Sequence, residues 1–365
     1  MMFKYFPHTE TDIQEMLKAV GVSSLDDLFS ELPKEVLYQG ELKLPEAHSE
    51  IELRKKLNEL ADKNKKFICF RGAGSYDVYT PAVIPALLSR QEFLTAYTPY
   101  QPEISQGTLQ YIFEFQSMIC ELTGLDISNA SVYDGATATM ESMFMATAET
   151  RRKKVLVSSL VNPLIVKVLK TYARYRHIEL EFIKSADFRT SKEDLLQKLD
   201  GNVAAVIVQN PNFLGTIENL DFVEEIHANK SLLIMNVDPS TLAVLKTPGE
   251  IGADIACGDG QTLGIPKSFG GPYVGFIAAT EKLLRKMPGR IVGLTNDTKG
   301  RRGFVLTLQA REQHIRREKA TSNICSNQSL MALHTVLYLS LLGKQGIVET
   351  AKRAYQNAHY LEAKL

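Results

Sequence analysis

The sequence predicts an α/β fold in which a mostly parallel sheet is covered by helices on both faces, preceded by a helical arm. Three observations lead there. Between residues 155 and 280, short apolar runs alternate with amphipathic segments, the pattern of βα units around a doubly covered sheet. The polar residues Ser158, Gln209, Asn210, Asp238 and Asp259 fall at the ends of those runs, where ligands of such sheets bind. A chain of 365 residues also exceeds one small core and suits a large domain with smaller pieces.

Residues 1–66 read as the arm, made of short helices. Ser24 with Asp27 and Ser49 with Glu52 have capping-box spacing, and Leu53, Leu57, Leu60 and Ala61 share one helical stripe. Such arms often wrap a partner subunit. The large domain is expected over 67–330. It opens on Phe67–Phe70, a possible strand, followed by Gly72-Ala-Gly74. A dinucleotide fingerprint would need a third glycine where Asp77 stands, so a tight turn placing Tyr76, Asp77 and Tyr79 is expected instead.

A polar loop from Thr95 to Gly107 then leads into an amphipathic helix with Ile112, Phe115, Ile119 and Leu122 on one face, ending at Gly124. Tyr133–Thr139 opens a second helix with small residues. Strands follow at 155–157, 178–183, 203–208, 232–237, 254–257 and 273–278, with helices at 163–175, 191–199 and 221–228 between them. From 304 the chain reads as helical. Residues 331–365 read as the helical start of a C-terminal small domain, and the pattern stops inside a helix, so that small domain is expected to be incomplete.

Lys+Arg and Asp+Glu balance at 42 each, which removes any whole-chain electrostatic case for nucleic acid or an anionic membrane. No apolar run approaches the ~20 residues of a membrane helix, and the first residues lack the features of a secretory signal. Cys69, Cys120, Cys257 and Cys325 lie far apart, against disulfide frameworks and zinc ribbons. A cytoplasmic setting is expected, and no metal site: His314 stands alone. The mixed run Arg311–Lys319 reads as a solvated or interface helix face, with Glu312 and Arg316 at i, i+4.

The Thr95–Gly107 loop carries Tyr97, Tyr100, Gln101, Glu103, Ser105 and Gln106. Three Pro or Gly residues exclude regular structure, and loops on rigid scaffolds are where binding groups concentrate. A second constellation concerns pyridoxal phosphate. Its site on such a sheet needs a small-residue helix start for the phosphate, an Asp against the pyridine nitrogen, and a Lys for its aldehyde. Gly135, Ala136 and Thr137 suit the first. Asp238 suits the second, although a cap or turn role is equally open. This spacing resembles the aspartate-aminotransferase-like class, fold type I. The Lys is missing: its expected position falls near Thr262, and Lys267, beyond Pro266, reads as a surface charge rather than as that Lys.

Four longer strings carry a closer resemblance. Thr95–Gly107, Asn129–Ala138, Gly258–Gln261 with Phe269–Pro272, and Arg311–Cys325 are similar to glycine dehydrogenase (decarboxylating), the P-protein of the glycine cleavage system. More narrowly they resemble subunit 1 of P-proteins split into two chains. The resemblance implies a fold type I PLP-dependent transferase-like large domain and a heterotetramer of two copies each of subunits 1 and 2. It implies decarboxylation of glycine with pyridoxal phosphate held covalently by subunit 2, and transfer of the aminomethyl group to the lipoyl disulfide of H-protein. On this chain it implies no covalent cofactor and no catalytic Lys. Tyr97, Tyr100, Gln101, Glu103 and Gln106 would then complete an interfacial active site, and Gly135, Ala136, Thr137, Asp238 and Thr262 would line a vestigial cofactor pocket. A noncatalytic scaffold and a self-sufficient decarboxylase using Lys267 are the alternatives.

Overall fold

The computed structural model describes residues 7–38, 40–65, 67–320 and 322–365. Parts of the expected arm (residues 1–6, Gln39 and Lys66) and Thr321 of the Arg311–Cys325 string lie outside the described residues. Compactness divides the chain after Ile68.

The first body holds α1 (Glu10–Val20) and α2 (Glu50–Ala61), each started by a capping box, Thr9 with Asp12 and Ser49 with Glu52. Ser24 and Asp27 exchange the same reciprocal hydrogen bonds but head a 3₁₀ turn. The α2 stripe Leu53, Leu57 and Leu60 is exposed, so capping rather than packing sets where this helix begins. Ser49→Ala should cost α2 about 1 kcal/mol, seen as faster amide exchange in its first turn; unchanged exchange there would show that the cap contributes nothing.

The second body begins at Cys69. Phe67–Phe70 forms no strand and is exposed. Helix α3 (Gln106–Thr123) ends at Gly124, whose φ of +68° suits a residue without a Cβ. It buries Ile112, Phe115 and Ile119. The sheet contains β1 (Ile127–Ser128), β2 (Lys154–Ser158), β3 (Glu179–Ile183), β4 (Val203–Gln209), β5 (Leu232–Asn236), β6 (Ile255–Asp259) and β7 (Gly275–Ala279). Their spatial order is β1-β7-β6-β5-β4-β2-β3, and β7 runs against both of its neighbours. The remaining pairs are parallel.

Helices α4 (Gly135–Thr150) and α5 (Pro163–Arg176) connect the early strands. Strand β4 shows why the runs are apolar throughout. Val206 and Val208 pack on one face with Phe115, Ile119 and Phe222, whereas Ala205 and Ile207 pack on the other with Met143 and Leu169. Alternate residues face opposite layers, and both layers are dry.

Beyond the sheet, the expected helix from 304 is overturned at its start. Arg302–Thr307 is a strand, β9, paired antiparallel with β8 (Ile291–Asn296), and its Phe304 and Leu306 are buried. Arg311–Lys319 is likewise not one helix but a 3₁₀ turn, a single helical turn and another 3₁₀ turn. Glu312 faces Arg290 and Tyr100 there, not Arg316. The last helix, α6 (Ser329–Glu362), breaks at Gly343 and buries Ala332, Leu333, Val336 and Tyr338 against the large domain.

Candidate functional site

The carboxyl ends of β4, β5 and β6 and the start of α4 surround a cavity of about 350 Å³. Gly135, Ala136, Asp238 and Thr262 all line it, together with Asp134, Asp259 and Gln261. The structure thus brings the expected cofactor-pocket residues together. Thr137 contributes through its backbone: its N–H donates to Asp134 Oδ1 at 2.7 Å, the N-cap bond of α4.

The details argue against a cofactor phosphate. In a phosphate site, the free N–H groups of a helix start point at the anion. Here the chain supplies its own anions. Gly135 N donates to Asp259 Oδ2 at 2.9 Å, and Gln261 N donates to Asp259 Oδ1 at 2.9 Å. The approach is so close that a Cβ on Gly135 would stand 2.9 Å from Asp259 Cβ. Burial pushes the Asp259 carboxyl up to about 6; the two N–H donors pull it down, and Asp134 and Asp238 add to the rise. A phosphate would have to displace one carboxylate and lie among the others.

The ring-nitrogen and Lys positions are also committed. Thr262 Oγ1 donates to Asp238 Oδ1 at 2.6 Å, and Ser240 donates to the same oxygen from its N–H and hydroxyl at 2.9 and 2.8 Å. Asp238 is therefore a turn residue that also holds Thr262. Lys267 is ion-paired with Asp77 at 2.8 Å. The residues present do not fit pyridoxal phosphate.

The Gly72–Gly74 turn closes one side of the cavity. Gly72, Ala73 and Gly74 all have positive φ, and the chain that follows is fixed by buried Gln261, which exchanges hydrogen bonds with the N–H and carbonyl of Tyr76 at 2.9 and 2.8 Å. Gln261 was invisible as a contributor in the sequence, since its partner lies 185 residues away. Asp259 stood out only as a polar strand end.

The loop candidates lie elsewhere, and none lines that cavity. Tyr97 is 78% exposed, and Gln101 and Glu103 are exposed as well. Gln106 is tied to Phe304, accepting from its N–H and donating to its carbonyl, both at 2.9 Å. It anchors the loop to β9, and its second amide hydrogen goes to Pro102 O at 2.7 Å. Ser105 is half-buried at the start of α3. Tyr100 OH donates to Glu312 Oε2 at 3.2 Å, and its ring lies 5.6 Å from the Arg290 guanidinium carbon.

Comparison with known proteins agrees with this architecture. The family model described as glycine cleavage system P-protein matches residues 3–365. Probable glycine dehydrogenase (decarboxylating) subunit 1 of Bacillus cereus (strain ATCC 10987 / NRS 248) is 53% identical over 99% of this chain and 81% of that protein. The protein of the same name from Bacillus thuringiensis (strain Al Hakam) matches equally. A crystal structure of glycine decarboxylase (P-protein) in inhibitor-bound form superposes with a TM-score of 0.92 at 49% identity, over 99% of this chain and 82% of that one. A sphingosine-1-phosphate lyase from Burkholderia pseudomallei shares the fold alone, at TM-score 0.60 and 14% identity over 88% and 75% of the two chains. The chain belongs to the glycine cleavage system P-protein family.

Proposed function

We propose that this chain is the subunit-1 component of a two-chain glycine dehydrogenase (decarboxylating), acting with subunit 2 in a heterotetramer of two copies of each. Subunit 2 holds the pyridoxal phosphate, whose ring supplies the electron sink for loss of CO₂ from glycine. The aminomethyl group then passes to lipoylated H-protein. The carrying observation is Thr262, standing at the expected Lys position and bonded to Asp238, beside a helix start whose first N–H is already taken by Asp259.

This chain's contribution is the loop. Tyr97, Gln101 and Glu103 are exposed on a segment fixed at one end by Gln106 and buttressed at Tyr100 by Arg290 and Glu312. A partner site closed by such a segment gains hydrogen-bond donors and excludes water. The arm of residues 1–66 is the natural element to wrap subunit 2, and the cytoplasm is the expected setting. The self-sufficient reading fares poorly on chemistry: the Asp77 hydrogen bond raises the Lys267 pKa and keeps that amine charged, whereas attack on an aldehyde needs it neutral.

The test is an absorbance spectrum after incubation with pyridoxal phosphate and dialysis. The chain alone should show no bound-cofactor band, and glycine decarboxylation should appear only on mixing with subunit 2. A band on the isolated chain that Lys267→Ala removes would overturn the reading. Within the complex, Tyr100→Phe should lower turnover about tenfold, the loss of roughly 1.4 kcal/mol of positioning. Unchanged turnover for both Tyr100→Phe and Glu103→Gln would favour a purely structural scaffold.

A further inference from the structure

A second buried cluster, apart from the cavity at the strand ends, is built around two arginines. Arg290 immediately precedes β8 and Arg311 lies four residues past β9, so the hairpin pairing of Ile291 with Thr307 brings them to one end of the ribbon. Both line a small cavity with Ser322 and Cys325. The Arg290 side chain is 4% exposed, and among the described residues its Nε has no hydrogen-bond partner. Its Nη2 reaches Tyr100 OH only at 3.5 Å. Arg311 donates from Nε to Leu308 O and from Nη2 to Gly289 O, at 3.2 and 3.1 Å, and leaves a buried Nη1 without a partner among the described residues.

The charges do not balance. Against two guanidiniums the cluster offers one carboxylate, Glu312. Its Oε2 lies 4.0 Å from Arg290 Nε, too far for a hydrogen bond, and it also accepts from Tyr100 OH at 3.2 Å and faces His314 Nδ1 at 3.5 Å. Buried charge is stable when it is paired and hydrogen-bonded. The unmade donors are N–H groups of cations, which favour an anionic acceptor over a neutral one. The space measures about 10 Å³, roughly one water-sized sphere. That size excludes a phosphate ester and admits a halide or one end of a small carboxylate.

We infer that Arg290 and Arg311 form a binding site for one small monovalent anion of the halide or formate class. Bound there, the anion would neutralise the excess charge behind Tyr100 and fix the base of the exposed loop. The site is independent of the glycine reading, since it rests on these two side chains alone.

Crystals of the full protein with its partner subunit, soaked in sodium bromide and measured at the bromine edge, test it. An anomalous peak touching Arg290 Nε and Arg311 Nη1 is expected. In solution, the excess ³⁵Cl line width of the same complex should be competed away by sodium formate, and Arg311→Gln should weaken the competed component at least tenfold. Should that variant fail to fold, Arg311→Lys, which keeps the charge and loses the fork, should still weaken it. A water without anomalous signal at the site, or a carboxylate of the partner subunit reaching into it, would overturn the free-anion reading. Line widths equal in wild type and variant would do the same.

Discussion

Asp259→Ala should destabilise the protein by about 3 kcal/mol, because it strips two buried backbone donors of their acceptor at roughly 1–3 kcal/mol each. Those donors are Gly135 N and Gln261 N. One starts α4 and the other holds the turn that positions buried Gln261, so a single truncation loosens both walls of the cavity. Asp259→Asn keeps one acceptor oxygen and should cost about 1 kcal/mol or less above pH 7, since it also removes a charge that burial opposes. Chemical denaturation of the three proteins at one pH measures this, and equal midpoints for wild type and Asp259→Ala would sink the argument. A second readout concerns the phosphate seat. Wild type should show no saturable binding of inorganic phosphate at this helix start, whereas Asp259→Ala, with Gly135 N released, should gain weak millimolar binding. Phosphate binding to wild type at α4 would refute the argument that Asp259 already fills this helix start.

What the sequence made visible and what it concealed divide along the range of the interaction. The strands of the main sheet were legible because Val203–Val208 and Leu232–Val237 are apolar on both faces, a pattern few other environments produce. The start of α4 was legible because Asp134-Gly-Ala-Thr137 is a local signal. The missing Lys near Thr262 could be read as soon as the strand order was assumed. The helical reading from 304 failed at its start because Phe304–Leu306, three apolar residues, carries no length signal, and only pairing with Ile291–Asn296 makes Arg302–Thr307 a strand. Glu312 was assigned to Arg316 by helical spacing; the intervening turns break that geometry and turn it to Arg290. The first N–H of α4 looked free in the sequence and is taken in the structure, because its acceptor lies 124 residues further along. Local rules placed the elements, and contacts between distant segments decided what the site can hold.

Replacing Glu141 with Gln should stabilise the protein at pH 8 by about 3 kcal/mol while changing little at pH 4, since one unit of pKa shift corresponds to about 1.4 kcal/mol. Glu141 is 4% exposed within α4, whose surroundings are mostly apolar. Burial pushes its carboxyl up to about 7, against the smaller downward pulls of a Ser322 hydrogen bond and the Arg176 charge. The sign follows from proton counting. Between the unfolded value, 4.5, and about 7, the folded protein holds a proton that the unfolded chain has released, so unfolding becomes easier as pH rises through that window. The penalty is absent below pH 4, grows across the window and is complete above pH 7. Gln keeps the shape and the capacity to bond Ser322 but cannot ionise, so its stability curve should be flatter over the same range. Asp259 bends the wild-type curve in the same direction over a lower window, ending near 6, so the difference between wild type and Glu141→Gln is the quantity to plot. Urea midpoints taken at half-unit steps from pH 4 to pH 8 would give it. A difference that is constant with pH would mean that Glu141 ionises in the folded protein as readily as in the unfolded chain, and that its burial is relieved by solvent or by Arg176.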